Sequence, residues 1–135
     1  LTAPNPEKIA TSSGYIRLKL ACGADFEAGG KVHCPETVAG QEQAPLKGVD
    51  LQFEKNGVHL SLAAADGASL SRPISSGFDC HGAKFGEDKL RIETLGMGVD
   101  FCVRTKRGAM SHVFFTNDVD RQDTEIVLWH VTRKR

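Results

Sequence analysis

The chain has 135 residues, with 17 basic and 17 acidic side chains, 14 glycines, 5 prolines and 4 cysteines. At that length one domain can bury about two thirds of the surface its unfolded chain exposes, so one core suffices. Balanced charge removes the electrostatic case for a nucleic-acid partner, a 40% hydrophobic content excludes intrinsic disorder, and no apolar run reaches the roughly 18 residues of a membrane span.

In chain order, Leu1 to Gly14 carries Pro4, Pro6 and the Ser12-Ser13-Gly14 run, and reads as a linker or N-terminal arm. Starting on Leu1 rather than Met, it reads as part of an excised or processed chain, with any export signal upstream. A single β domain is expected from Tyr15 to Arg135. Ile16, Leu18, Leu20 and Cys22 alternate with Tyr15, Arg17, Lys19 and Ala21, the period of two of a strand with one wet face. Gly23 to Gly48 is rich in glycine, proline and polar residues and predicts a long loop pinned by Cys34. Val49, Leu51 and Phe53 then alternate with polar residues, as do Val58, Leu60 and Leu62. Asn56-Gly57 between them suits a type I′ turn, and a two-residue loop there sets Phe53 opposite Leu60.

Ala63 to Asp88 is again turn-rich, with a short strand around Phe78 to Cys80. Strands are expected at Lys89–Leu95, Val99–Thr105 and Met110–Thr116, the last two joined by Lys106-Arg107-Gly108. The final strand, about Thr124 to Thr132, is apolar on both faces through Ile126, Val127, Leu128, Trp129 and Val131. That pattern predicts cover on both sides, with Trp129 in the core rather than serving as a sugar-stacking platform. The total is seven or eight strands without an amphipathic helix, hence an all-β antiparallel sandwich or partly closed barrel with long loops.

Cys22, Cys34, Cys80 and Cys102 form an even set without any Cys-x-x-Cys pair, which favours disulfides over a metal site. His33-Cys34 and Cys80-His81 are neighbours, but adjacent strand residues face opposite ways, so neither pair readily supplies two ligands to one ion. Four cysteines allow three connectivities. The sequential pairing, Cys22 with Cys34 and Cys80 with Cys102, closes short loops and is the one expected. Oxidised bridges place the domain outside a reducing cytosol.

No Gly-x-Ser-x-Gly elbow is present, and the acidic residues scatter over turns and wet strand faces. His59, His112 and His130 lie in strand patterns, and nothing in their spacing brings them to one metal. From Phe101 onward the chain holds seven basic residues (Arg104, Lys106, Arg107, Arg121, Arg133, Lys134, Arg135) and four acidic ones (Asp118, Asp120, Asp123, Glu125). Arg104, Lys106 and Arg107 gather around one turn, which suits a phosphate, an acidic glycan or an anionic headgroup. A solvated hairpin turn has the same composition, and the aromatic interleaving of base stacking is missing.

Leu95-Gly-Met-Gly-Val-Asp-Phe-Cys-Val-Arg-Thr-Lys-Arg-Gly-Ala-Met, followed by Ile126 to Trp129, resembles a small extracytoplasmic β module of actinobacterial exported and membrane-anchored proteins. Some of those modules are attached to serine/threonine kinases. The resemblance spans Phe78 to Val131, implies a β fold and an outside location, and makes Cys80 the natural partner of Cys102. It implies no activity and carries over no catalytic residue.

The functional expectation is a non-enzymatic exported module, without cofactor or metal, that recognises a protein or cell-envelope ligand through loops. The loops concerned are Gly23 to Gly48, Ala64 to Gly77 and the Lys106-Arg107 turn. A secreted protease inhibitor presenting the Cys22–Cys34 loop, a small histidine- or metal-dependent hydrolase, and a structural subunit of a larger assembly are the alternatives.

Overall fold

A computed structural model describes residues 11–35, 46–56, 59–74, 80–95, 99–119 and 125–133. Among the described residues eleven strands form two antiparallel sheets, so the architecture is a sandwich and is not closed into a barrel. The strands are β1 (Thr11–Lys19), β2 (Gly23–Asp25), β3 (Lys31–His33), β4 (Leu51–Asn56), β5 (His59–Ala64) and β6 (Ser69–Ser71) in the first half. The second half supplies β7 (Phe85–Glu87), β8 (Lys89–Arg91), β9 (Val99–Arg104), β10 (Met110–Val119) and β11 (Glu125–Arg133). One sheet runs β1-β11-β10-β9-β6-β7 and the other β3-β2-β4-β5-β8.

The count exceeds the seven or eight expected because β2, β3, β6 and β7 are three residues each. A three-residue strand is too short to display a period, so turn-rich composition hides it. Part of the predicted Gly23 to Gly48 loop is therefore strand, and residues 36–45 of it lie outside the described residues. Cys80 opens a 3-10 turn, Cys80–Gly82, instead of ending a strand, while Phe78 lies outside the described residues. β1 begins at Thr11, inside the stretch expected as an arm, and its Thr11–Gly14 segment pairs with His130 to Arg133.

The alternation read from sequence builds the core. Leu18, Phe53, Leu62, Phe101, Val113, Phe115, Ile126 and Leu128 come from facing strands and are fully buried between the sheets. The β4–β5 hairpin is present, but Phe53 pairs with Leu62 and Leu60 with Lys55, two residues away from the expected register. A slip of two keeps every side chain on its face, so the apolar pattern alone cannot distinguish the two registers. Lys89–Leu95 is strand only as far as Arg91. Ile92–Leu95 forms a helical turn, and Glu93 Oε1 accepts the Leu60 N–H at 3.0 Å where a longer β8 would have continued the pairing.

The expectation that β11 is covered on both sides is corrected. Ile126, Leu128, His130 and Thr132 are buried, whereas Val127, Trp129 and Val131 are half-buried on the outer face. Trp129 is not a core tryptophan: it meets the exposed Tyr15 edge-on, ring centroids 4.7 Å apart, and its cross-strand neighbours are Tyr15 and Phe114. Buried polar side chains of this region bond one another. Ser111 and Thr132 hydroxyls bond at 2.6 Å, and Thr132 bonds His130 Nδ1 at 2.8 Å.

Two disulfides cross-link the fold, Cys22–Cys34 and Cys80–Cys102, which is the sequential pairing. The first joins the end of the β1–β2 turn to the residue after β3; the second fastens the Cys80 turn onto β9. Such bridges in a small β domain are consistent with an extracellular location. Non-reduced, denatured protein is accordingly expected to show no titratable thiol, and four reactive thiols in a freshly purified sample would contradict the structure.

Candidate functional site

At one end of the sandwich, segments distant in sequence surround a cavity of about 610 Å3. Its wall comes from Asp25, Glu27 and Ala28, from Gly48 and Asp50, from Asp66, and from Lys106 and Arg107. Local chemistry explains how each arrives. Asp25 ends β2 and its Oδ1 accepts the Glu27 N–H at 3.1 Å, capping the 3-10 turn Phe26–Ala28. The turn sends Phe26 into the core, tilted against His130 with ring centroids 5.4 Å apart. Gly30 then carries the chain past His130 at φ 88°. A Cβ there would lie 2.9 Å from both His130 Nε2 and Ile16 Cδ1, so only glycine fits.

Asp50 precedes β4. Its N–H donates to Ala24 O, its carbonyl accepts from Ala65 N, and its Oδ2 accepts the Phe26 N–H at 2.8 Å. Asp66, at φ 46°, turns the chain after β5 and accepts the Gly48 N–H at 2.8 Å. The next residue, Gly67, lies against the aliphatic stem of Lys106. Lys106 and Arg107 occupy the β9–β10 turn, closed by Gly108 N–H on Thr105 O at 2.9 Å. Glu27 ties this turn to the first segment: it accepts the Thr105 hydroxyl, and its other oxygen is 3.9 Å from Arg107 Nε. Two carboxylates on backbone N–H groups and one on a hydroxyl thus hold the four segments together.

Asp50 is the buried group of the set, 7% exposed. Burial pushes its carboxyl up from 3.8 to about 6, against the lowering effect of the Phe26 N–H, and Asp25, Glu27 and Asp66 add to the rise. Asp25 and Glu27 are half-buried, while Asp66, Lys106 and Arg107 are exposed at the rim. Among the described residues no group of three or more His, Cys, Asp or Glu side chains is set to hold a metal ion.

Of the three cations singled out from sequence, the structure brings Lys106 and Arg107 to the cavity and separates Arg104 from them. Arg104 projects from the outer face of β9 and stacks over Phe85, guanidinium carbon 4.4 Å from the ring centroid. The histidines do not converge. His59 Nδ1 is 3.9 Å from Glu93, His112 Nε2 is 3.4 Å from Asp100 on the outer face, and His130 is buried. Desolvation holds His130 below the usual histidine range.

Sequence reasoning missed the four carboxylates of the cavity because aspartate in glycine-rich segments is ordinarily a turn former. Asp25 and Asp66 do act as turn formers here. The one available signal was Asp50, an acidic residue immediately before the alternating Leu51-to-Phe53 strand, beside the core residue Val49. No family model, no curated protein and no solved structure matches this chain.

Proposed function

We propose that this chain is a non-enzymatic binding module, exported or anchored outside the cytosol, that recognises a protein or cell-envelope ligand through the loops around this cavity. One observation carries the reading. Residues 25–28 and 48–50, the turn after β5 and the Lys106-Arg107 turn meet around one preformed recess, held by hydrogen bonds to the Asp50, Asp66 and Glu27 carboxylates. Preorganised loops on a rigid sandwich reduce the ordering cost of binding. The Cys22–Cys34 segment is built into the five-stranded sheet with its turn residue Phe26 buried, which favours the cavity over a projecting inhibitor loop. The two disulfides support the outside location, and the likeness of Phe78 to Val131 to actinobacterial envelope modules supports a bacterial envelope setting.

Immobilised protein, offered fractionated envelope material and the purified secreted proteins of its source, tests the proposal. A retained ligand is expected to be lost at least tenfold, about 1.4 kcal/mol, with Ala28→Trp, which puts a bulky side chain on the cavity wall, and kept with the outer-face variant Arg17→Glu. Equal retention by all three, or turnover of a hydrolase substrate panel by the wild type, would overturn it.

A further inference from the structure

The cavity's charge pattern narrows the ligand, given that the cavity is the binding site. Asp50 lies at the floor, more than nine-tenths buried, and only one of its carboxylate oxygens is bonded, to the Phe26 N–H. Among the described residues no donor bonds the other oxygen. That oxygen is not sealed in the interior: it opens to the recess and is free to accept from a donor seated there. Both Asp50 backbone groups are bonded as well, which fixes its main chain at the cavity wall.

Around it stand the groups of every neighbouring element: Asp25 of β2, Glu27 of the 3-10 turn, Asp66 of the turn after β5, and Lys106 and Arg107 of the β9–β10 turn. Four carboxylates face two cations. Glu27 lies beside Arg107 and bonds Thr105, which leaves the floor negative and confines the positive groups to the rim. The recess is far larger than a bare ion and falls in the size range of small-ligand sites, roughly 300–1,000 Å3. A hydrogen-bond donor carrying positive charge satisfies both the unused oxygen and the local field.

We infer that the ligand enters this cavity with an organic cation, an ammonium or guanidinium group, set against the Asp50 carboxylate. Because burial raises this carboxyl to about 6, a cation must compete with a proton there, and affinity rises with pH through that range.

Backbone amide shifts, titrated with Nα-acetyl-lysine amide, Nα-acetyl-arginine amide and glucosamine, test the inference. Nα-acetyl-norleucine amide, N-acetylglucosamine and inorganic phosphate serve as comparators. At least one cation is expected to shift the Glu27, Gly48 and Arg107 amides saturably at pH 7 and to bind about tenfold more weakly at pH 5, as the ionised fraction falls. Which cation does so separates a basic side chain from an amino sugar. Asp50→Asn is expected to weaken binding at least tenfold and flatten its pH dependence. Should that variant not fold, Asp66→Asn and the wild-type pH profile carry the test. Saturation of the same amides by a neutral probe or phosphate, with no response to cations, overturns the cation assignment but leaves the cavity reading standing. Shifts confined elsewhere, or no shift with any probe, overturn both.

Discussion

Replacing Phe26 by alanine is expected to cost about 3–5 kcal/mol of folding stability, read from the midpoint of urea unfolding. The side chain is fully buried and comes from a 3-10 turn between two three-residue strands. Such short strands contribute few ladder bonds of their own, so the anchoring of this hairpin falls to the ring and to the Cys22–Cys34 bridge. The ring also packs on His130, whose Nε2 is buried without a hydrogen-bond partner among the described residues. Removing it leaves a void next to an imidazole that the fold keeps neutral. Phe26→Leu retains most of the volume and is expected to cost much less, about 1–2 kcal/mol. A loss below about 1 kcal/mol for the alanine variant would show that the turn is not anchored through this ring.

Asp50→Asn is expected to make the protein more stable at pH 7, and the gain is expected to vanish in acid. Below pH 3.8 the carboxyl is neutral in folded and unfolded chains alike. As pH rises the unfolded chain ionises first and the folded one only near 6, so stability drops across that window and is level above it. The gap converts to about 3 kcal/mol at ~1.36 kcal/mol per pH unit. Asparagine presents the same acceptor to the Phe26 N–H and has no charge to desolvate. The comparison is made as a difference between variant and wild type at pH 4 and pH 7. His130 acts in the opposite sense, since its lowered pKa removes stability as pH falls below 6.5, and that contribution cancels in the difference. A difference that does not change with pH would mean that Asp50 is not held protonated by burial.

Stabilisation on losing a charge bears on function. A buried carboxylate kept at such a cost is the pattern of a site that trades stability for binding.

How much of this was legible beforehand depended on strand length. β4, β5, β9 and β10 run six to ten residues, enough for Leu51 and Phe53 or Val99, Phe101 and Val103 to show their period of two. Three-residue strands such as Ser69–Ser71 and Phe85–Glu87 carry no period, and their pairing is fixed by neighbours instead. β11 misled for a different reason. Apolar residues on both faces signal cover on both faces, yet the outer set here, Val127, Trp129 and Val131, is half-covered by its own cross-strand neighbours. The cavity was legible only at Lys106 and Arg107, where charge concentrates locally. Its carboxylates lie at positions 25, 27, 50 and 66, and only the antiparallel return of β4 onto β2 and of β5 onto β4 brings them together.

The outer-face pair of Tyr15 and Trp129 has a practical consequence. Each is the sole residue of its type in the chain, and their rings are 4.7 Å apart across the β1–β11 seam. Intrinsic fluorescence is therefore a local gauge: tyrosine emission is quenched into tryptophan while the first and last strands stay zipped, and recovers when they part. Because neither ring borders the cavity, a ligand seated there would leave the optical signal quiet, and unzipping of the terminal strands can be followed separately from occupancy.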